Sequence, residues 1–293
     1  MPAAIAADAR IALLPFYAES TFALALQGGS GAAITSPAPD ARLSPVWAVR
    51  GTLVAQDRVP GGLFGDDPQT CFYGWLLERT DAPGTFMAVV RGTEDLREWF
   101  LDAEIGELAT HSVVGKVEAG FWSIYDSMRY RPLTGGDFPA AQGLAAAVGS
   151  GHLTITGHSL GSPLTAYLAF DTAAPGLLGS RVSAIMFASP RPGDSSFGAA
   201  FNFRVPSHRA YWWAHDLVPH VPFGFGYAAV PQSIELTPPA GLVVCRSPAC
   251  AHHCLTYAGM LDPSVLREFK PAAEDARFMS CVSFADAPLA ATG

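Results

Sequence analysis

The sequence predicts an α/β fold: a mostly parallel central sheet flanked by helices on both faces, with an antiparallel strand pair towards the N-terminus. Three observations carry this. The stretch His152–Phe170 reads as a short apolar strand (Leu153, Ile155), a break at Gly157-His-Ser-Leu-Gly161, and then a helix with Leu160, Leu164, Tyr167 and Leu168 at spacings of three and four. Before and after it, runs of β-branched and aromatic residues alternate with helical patterns, the signature of strands joined by crossover helices. The 293 residues are 49% hydrophobic and only 15% charged, enough for one substantial core. A single domain over residues 1–293 is expected.

Taken in order, Ile11, Leu14, Phe16, Phe22, Leu24 and Leu26 follow a helical period interrupted by Pro15, predicting an N-terminal helix that packs across the sheet. Residues 28–45 are rich in Gly, Ser and Pro and read as loop. Residues 46–55 and 71–79 form the antiparallel pair, separated by Gly/Pro turns. Residues 85–91 are apolar enough for a central strand. A helical segment, 94–105, follows Arg91-Gly-Thr93. Residues 117–121 lead into a helix through Ile124, Tyr125 and Met128, and residues 138–148 read as an Ala-rich helix feeding the strand at 152. Further strands are expected at 181–188, 209–214 and 233–236, with helix returning after His252. No internal repeat is visible.

The strand, sharp turn and helix around Ser159 have the form of a nucleophile elbow, which presents a serine hydroxyl at the end of a sheet. Gly157 and Gly161 leave room where a Cβ would clash, and Pro163 lies in the first helical turn, where no amide N–H is needed. His158 should point away from Ser159 and pack under the turn. A serine hydroxyl becomes a nucleophile when a neighbouring base takes its proton, and that base needs an orienting carboxylate. In the order Ser, Asp, His, the acid is expected on a loop after a later strand. Asp216, followed by Leu-Val-Pro, fits; Asp194, in a Gly-Asp-Ser-Ser turn, suits backbone capping instead. The base must then come after Asp216. His220 is too close in sequence to fold back onto both partners, leaving His252 and His253, which side-chain chemistry does not separate.

Six stretches together resemble the fungal-lipase-like (class 3) family of the α/β-hydrolase superfamily: Ala88-Val-Val-Arg-Gly-Thr93; Trp99 and Asp102; Gly120-Phe121; Gly157-His-Ser-Leu-Gly161; Phe187-Ala-Ser-Pro-Arg-Pro-Gly193 with Phe197; and Asp216-Leu-Val-Pro219. The resemblance implies an α/β-hydrolase fold and a lipase-type carboxylic-ester hydrolase with a triad Ser159, Asp216 and His252. Tyr257, five residues after His252 and four after His253, favours His252 as the base. The resemblance also implies an oxyanion hole from the Leu160 N–H and Thr93. It makes 94–105, apolar on one edge and acidic opposite, a candidate lid; an ordinary packed helix is the alternative.

The remaining features bound the partners. A net charge of −8 argues against nucleic acid. An ester or lipid substrate, met at a lipid–water interface, is expected, with no cofactor and no metal; so is a monomer. No apolar run reaches the ~18 residues of a membrane span, and the N-terminus lacks the basic start of a secretory signal. Five cysteines make a disulfide framework unexpected and a reducing, cytoplasmic setting the default, with export left open. Cys245, Cys250, Cys254, His252 and His253 crowd together like a zinc set, but their spacing is unlike a finger. A Cys245–Cys250 or Cys250–Cys254 disulfide is the other reading. A silent scaffold that binds a lipid or protein partner is the competing function; retention of all three triad candidates weighs against it. An esterase or phospholipase with a different acyl substrate is a third.

Overall fold

The computed structural model describes residues 3–27, 34–57, 69–92, 108–110, 114–224, 226–269, 271 and 280–285. Its centre is a nine-stranded sheet. The strands, in chain order, are β1 (Trp47–Asp57), β2 (Gln69–Arg79), β3 (Thr85–Val90), β4 (Leu108–Thr110), β5 (Lys116–Glu118), β6 (Arg129–Pro132), β7 (Phe138–Pro139), β8 (His152–His158), β9 (Val182–Phe187), β10 (His208–Trp213), β11 (Ser233–Leu236), β12 (Leu242–Val244) and β13 (Val282–Phe284). The spatial order is β11-β10-β9-β8-β3-β2-β1-β6-β7. From β3 through β8, β9, β10 and β11 all pairings are parallel. From β3 through β2, β1, β6 and β7 they are antiparallel. The α/β-hydrolase architecture expected from the sequence is therefore present, with the strand pair at 47–57 and 69–79 extending its antiparallel half.

The parallel half is where burial is deepest. Val89, Val90, Ile155, Ala184 and Met186 are sealed between helices on both faces, as a central parallel sheet requires. Register then decides what meets at the carboxyl edge. Val90 lies opposite Gly157 and His158 opposite Phe187, so the chain leaving β3 at Arg91-Gly92 runs directly beside the turn that leaves β8.

The N-terminal segment is helical over Ala3–Ile11 and Leu13–Gln27, beginning before the predicted start, and Pro15 sits in the first turn of the second helix rather than breaking it. Leu14, Ala18 and Phe22 join the main core; Ala9, Ala12, Leu13 and Phe16 join a second core built with β10 and the helix Cys254–Leu261. The stretch Ala6–Gln27 is long and apolar enough to cross a membrane by length and composition alone. In this fold 61% of its most apolar window is buried inside the protein. Asp8 is consumed internally. It accepts from Arg209 at 2.6 and 2.8 Å and from the Tyr211 hydroxyl at 2.7 Å, pinning the first helix to β10.

Two further differences are local. The segment predicted as helix from 138 begins as β7 and becomes helical only over Ala140–Val148, and β6 was not foreseen, because strands of two and four residues are too short for a period to show. The cysteine expectation is corrected more sharply. Cys250 is bonded to Cys281, not to Cys245 or Cys254. Cys281 reaches Cys250 because β13 pairs antiparallel with β12, returning the C-terminal segment to the helix Pro248–His252. That bond closes a loop of 31 residues, and the chain-entropy cost it removes from the unfolded state is about 3–4 kcal/mol. Reduction, or Cys281→Ser, is expected to lower the melting temperature by roughly 5 °C, measured by calorimetry with and without reductant; no shift would mean that the bond constrains nothing the fold needs.

Candidate active site

At the end of β8 the backbone turns sharply into the helix Gly161–Thr172. Ser159 sits at the bend with φ of +58°, a left-handed conformation that costs a non-glycine residue about 1–3 kcal/mol. What holds it there is crowding. A Cβ on Gly157 would lie 2.2 Å from the Gly161 carbonyl oxygen, and one on Gly161 would lie 2.5 Å from that of Val90. The Ser159 N–H donates to the Phe187 carbonyl at 3.0 Å, and the Ser162 hydroxyl donates to the Gly157 and Phe187 carbonyls. The turn is thus stitched to β9 beside it.

Asp216 follows β10 and is almost fully buried. One carboxylate oxygen accepts from the Val218 N–H at 3.0 Å, which fixes it against the Leu-Val-Pro turn; the other accepts from the Tyr257 hydroxyl at 2.7 Å. His252 is the last residue of the helix Pro248–His252. Its Nδ1 lies 2.9 and 3.1 Å from the two Asp216 oxygens, and its Nε2 lies 2.6 Å from Ser159 Oγ. With Nδ1–H donating to the carboxylate, Nε2 is the acceptor for the serine proton. Ser159, Asp216 and His252 are therefore brought together, at distances a proton can cross.

His253, the other candidate, is not. Its Nδ1 accepts from the Leu255 N–H at 3.2 Å, capping the helix Cys254–Leu261, and its ring packs edge-on against Phe16. Asp194, the rival acid, caps the helix Ser195–Arg204 by accepting from the Phe197 N–H at 2.8 Å. Leu160 follows Ser159 at the N-terminal end of its helix, and its side chain is buried. Thr93 and the candidate lid 94–105, with Trp99 and Asp102, lie outside the described residues. Gly92 is described, and its backbone passes so close to the elbow that an added Cβ would stand 3.1 Å from Ser159 Cβ.

Two residues at the site went unforeseen. Tyr257, in the sequence only a spacing marker, carries a hydroxyl that is a buried donor to Asp216. Burial and the neighbouring Asp216 charge push its pKa well above the ordinary phenol value, so it stays protonated and donating. Glu19, on the helix Leu13–Gln27, lies 3.1 Å from His158 Nδ1, whose Nε2 lies 2.6 Å from the His252 carbonyl. His158 does pack beneath the turn, as expected. The crowded cysteine and histidine set is dispersed: Cys250 is in the disulfide, His252 faces Ser159, and Cys245 is exposed. Glu19, His158 and Cys254 bring one possible metal-ligand atom each within 4.8 Å of one another. Burial and the nearby Glu19 carboxylate push the Cys254 thiol well up, so it is a neutral neighbour to the Glu19–His158 contact.

Fold and constellation together define an α/β-hydrolase with its polar residues on loops at the carboxyl edge of the sheet. Within that class, residues 87–225 match the family model described as lipase (class 3), bearing out the resemblance drawn from the six motifs. A lipase of Rhizopus niveus is 28% identical over 204 residues, covering 64% of this chain and 49% of that protein. Phospholipase A1-II 3 of Oryza sativa subsp. indica is 34% identical over 135 residues, covering 38% and 32%. The chain thus spans about half or less of the length of these curated relatives. The solved structure of the native Rhizomucor miehei lipase propeptide complex superposes with a TM-score of 0.54 at 20% identity, over 77% of this chain and 67% of that one, a likeness of fold.

Tyr257→Phe removes one donor from a buried carboxylate without changing volume. The expected cost is about 1–3 kcal/mol of stability, read from urea melts of the two proteins. An unchanged midpoint would show that Asp216 does not depend on the hydroxyl.

Proposed function

We propose that the protein is a lipase-type carboxylic-ester hydrolase working through an acyl-enzyme. The observation that supports this best is the continuous hydrogen-bond chain from Ser159 Oγ through His252 to the buried carboxylate of Asp216. In this reading Ser159 Oγ attacks the ester carbonyl while His252 Nε2 takes its proton, and Asp216 stabilises the imidazolium that forms. The oxygen that becomes negative is held by the Leu160 N–H, at the start of the helix Gly161–Thr172, and by Thr93. Two such donors are worth about 10²–10³ in rate each. The imidazolium then protonates the departing alcohol. Water attacks the acyl-enzyme with His252 again as base, releasing the acid and restoring Ser159.

An acyl-lipid substrate fits the relatives, one a lipase and one a phospholipase A1, and fits the surface around the acid. Leu217 and Phe223, on the loop that follows Asp216, are both largely exposed apolar side chains. Such side chains favour contact with a lipid surface over water. The segment 94–105 remains the candidate lid. The Cys250–Cys281 disulfide favours an oxidising compartment over the reducing one that the cysteine count had suggested.

Wild-type protein is expected to hydrolyse a p-nitrophenyl ester with an initial burst and to be labelled by a fluorophosphonate. Ser159→Ala should lose both, with residual hydrolysis down by about 10⁴-fold or more. Equal turnover in the two proteins, or an unlabelled wild type, would sink the enzymatic reading in favour of a binding scaffold. A panel of triacylglycerols and phospholipids, assayed above and below the solubility limit of each, is expected to show a rate increase at the emulsion boundary. Rates that ignore that boundary would speak for a soluble-ester esterase.

A further inference from the structure

We propose that Glu19 and His158 form a buried, charged strut that positions the candidate base His252 from beneath, a role that rests on reading His252 as the base. The argument begins with hydrogen-bond inventory. His158 Nδ1 faces a Glu19 carboxylate oxygen at 3.1 Å and Nε2 faces the His252 carbonyl oxygen at 2.6 Å. An ionised carboxylate and a carbonyl only accept, and a neutral imidazole has one N–H to give. Both contacts are satisfied at once by an imidazolium, which donates from both nitrogens. His158 is therefore charged, with Glu19 as its counterion, and the two side chains are only 5% and 13% exposed.

The strut reaches three separate segments. Glu19 comes from the N-terminal helix, and the oxygen that meets His158 also accepts from the Gly92 N–H at 3.0 Å, at the end of β3 beside the elbow. His158 is the residue before the nucleophile, and its Nε2–H holds the main chain of His252. One buried ion pair thus fixes the base, the elbow and the strand end relative to one another. Packing alone gives no reason for it, because a buried ion pair is often no more stabilising than apolar side chains of the same volume. Its positive end lies towards the base: the His158 and His252 rings are 4.7 Å apart, tilted by 36°.

Other groups around the pair reinforce its charges. Burial works against both ions. For Glu19 the His158 charge and hydrogen bond, the His253 ring and the Gly92 N–H outweigh it, so the carboxyl is held below its ordinary range. For His158 the Glu19 charge and hydrogen bond, the His252 carbonyl and the Asp216 carboxylate outweigh it, so the imidazole is held above its ordinary value. Cys254, with Sγ 4.0 Å from Glu19, and Tyr257, with its ring 6.2 Å from that of His158, are both pushed up and stay neutral. The signs follow. The depressed Glu19 contributes stability above its unfolded pKa that is lost as pH falls through the folded value. The raised His158 contributes stability below its unfolded pKa that is lost as pH rises through the folded value.

The test uses full-length wild type, Glu19→Gln, Glu19→Asp and Ser159→Ala in p-nitrophenyl butyrate hydrolysis. Glu19→Gln should lower kcat by about 10- to 100-fold, the scale of a small misplacement of a reacting group, with KM within about twofold. Without its counterion His158 becomes neutral. The cation beside the reacting groups is then gone, and the acid limb of kcat/KM moves to higher pH. Glu19→Asp, which keeps the charge, should recover part of the rate. Wild-type kcat and an unmoved pH profile in Glu19→Gln, with Ser159-dependent turnover intact in the wild type, would overturn the strut alone; absence of that turnover would overturn the enzymatic reading as well. Ring ¹⁵N shifts of the wild-type protein at neutral pH need no variant to fold. A doubly protonated His158 supports the strut, and a neutral tautomer overturns it.

Discussion

Everything at the carboxyl edge depends on one unfavourable backbone conformation, that of Ser159 at φ +58°. A side chain in that region is strained, and the strain persists only where surrounding contacts over-determine it. Here they do so by exclusion. The two flanking glycines are pressed against carbonyl oxygens, one across the turn and one from β3, at distances where no Cβ fits. The parallel ladder between β3, β8 and β9 sets those carbonyls in place, so the sheet register and the exposed hydroxyl are parts of one constraint.

The histidine poses the opposite problem. It lies 93 residues from the serine and belongs to no strand of the main sheet. Four independent ties bring it home. Its ring is held by Asp216, its carbonyl by His158, its helix by the Cys250–Cys281 bond, and the following helix by the second core shared with Phe16 and Leu13. Each tie comes from a different part of the chain. An imidazole held within hydrogen-bond reach of a serine oxygen needs that redundancy, since side chains orient well only when their supports are themselves fixed.

What the sequence made legible follows the same division. The elbow was readable because strand, turn and helix are contiguous and each leaves a local mark. Asp216 was readable because its turn carries Pro219 and follows a strand of visible pattern. His252 and His253 were not separable from their own chemistry. Both sit between two short helices, one ending a helix and the other capping the next, and only the three-dimensional path decides which ring faces the serine. The disulfide partner was hidden for a related reason: Cys281 meets Cys250 through the β12–β13 pairing, and neither strand exceeds three residues. Glu19 left no signal at all, because an acid within an apolar helical period reads as a solvated position.

Asp8 and Glu19 are both held inside the fold. A carboxylate interrupting an apolar helix has two physical outcomes: it faces water, or it finds donors inside. Asp8 finds Arg209 and Tyr211, and Glu19 finds His158 and Gly92. Both are buried enough that leaving either without its partners would cost several kcal/mol, so neither the helix Ala3–Ile11 nor the helix Leu13–Gln27 can slide or rotate without breaking its own pair. An apolar stripe alone tolerates a shift by a turn, because one buried leucine replaces another. An internal carboxylate on each helix does not, and it converts a greasy helix into a registered one. That registration is what allows a residue near the start of the chain to act on a histidine near its end.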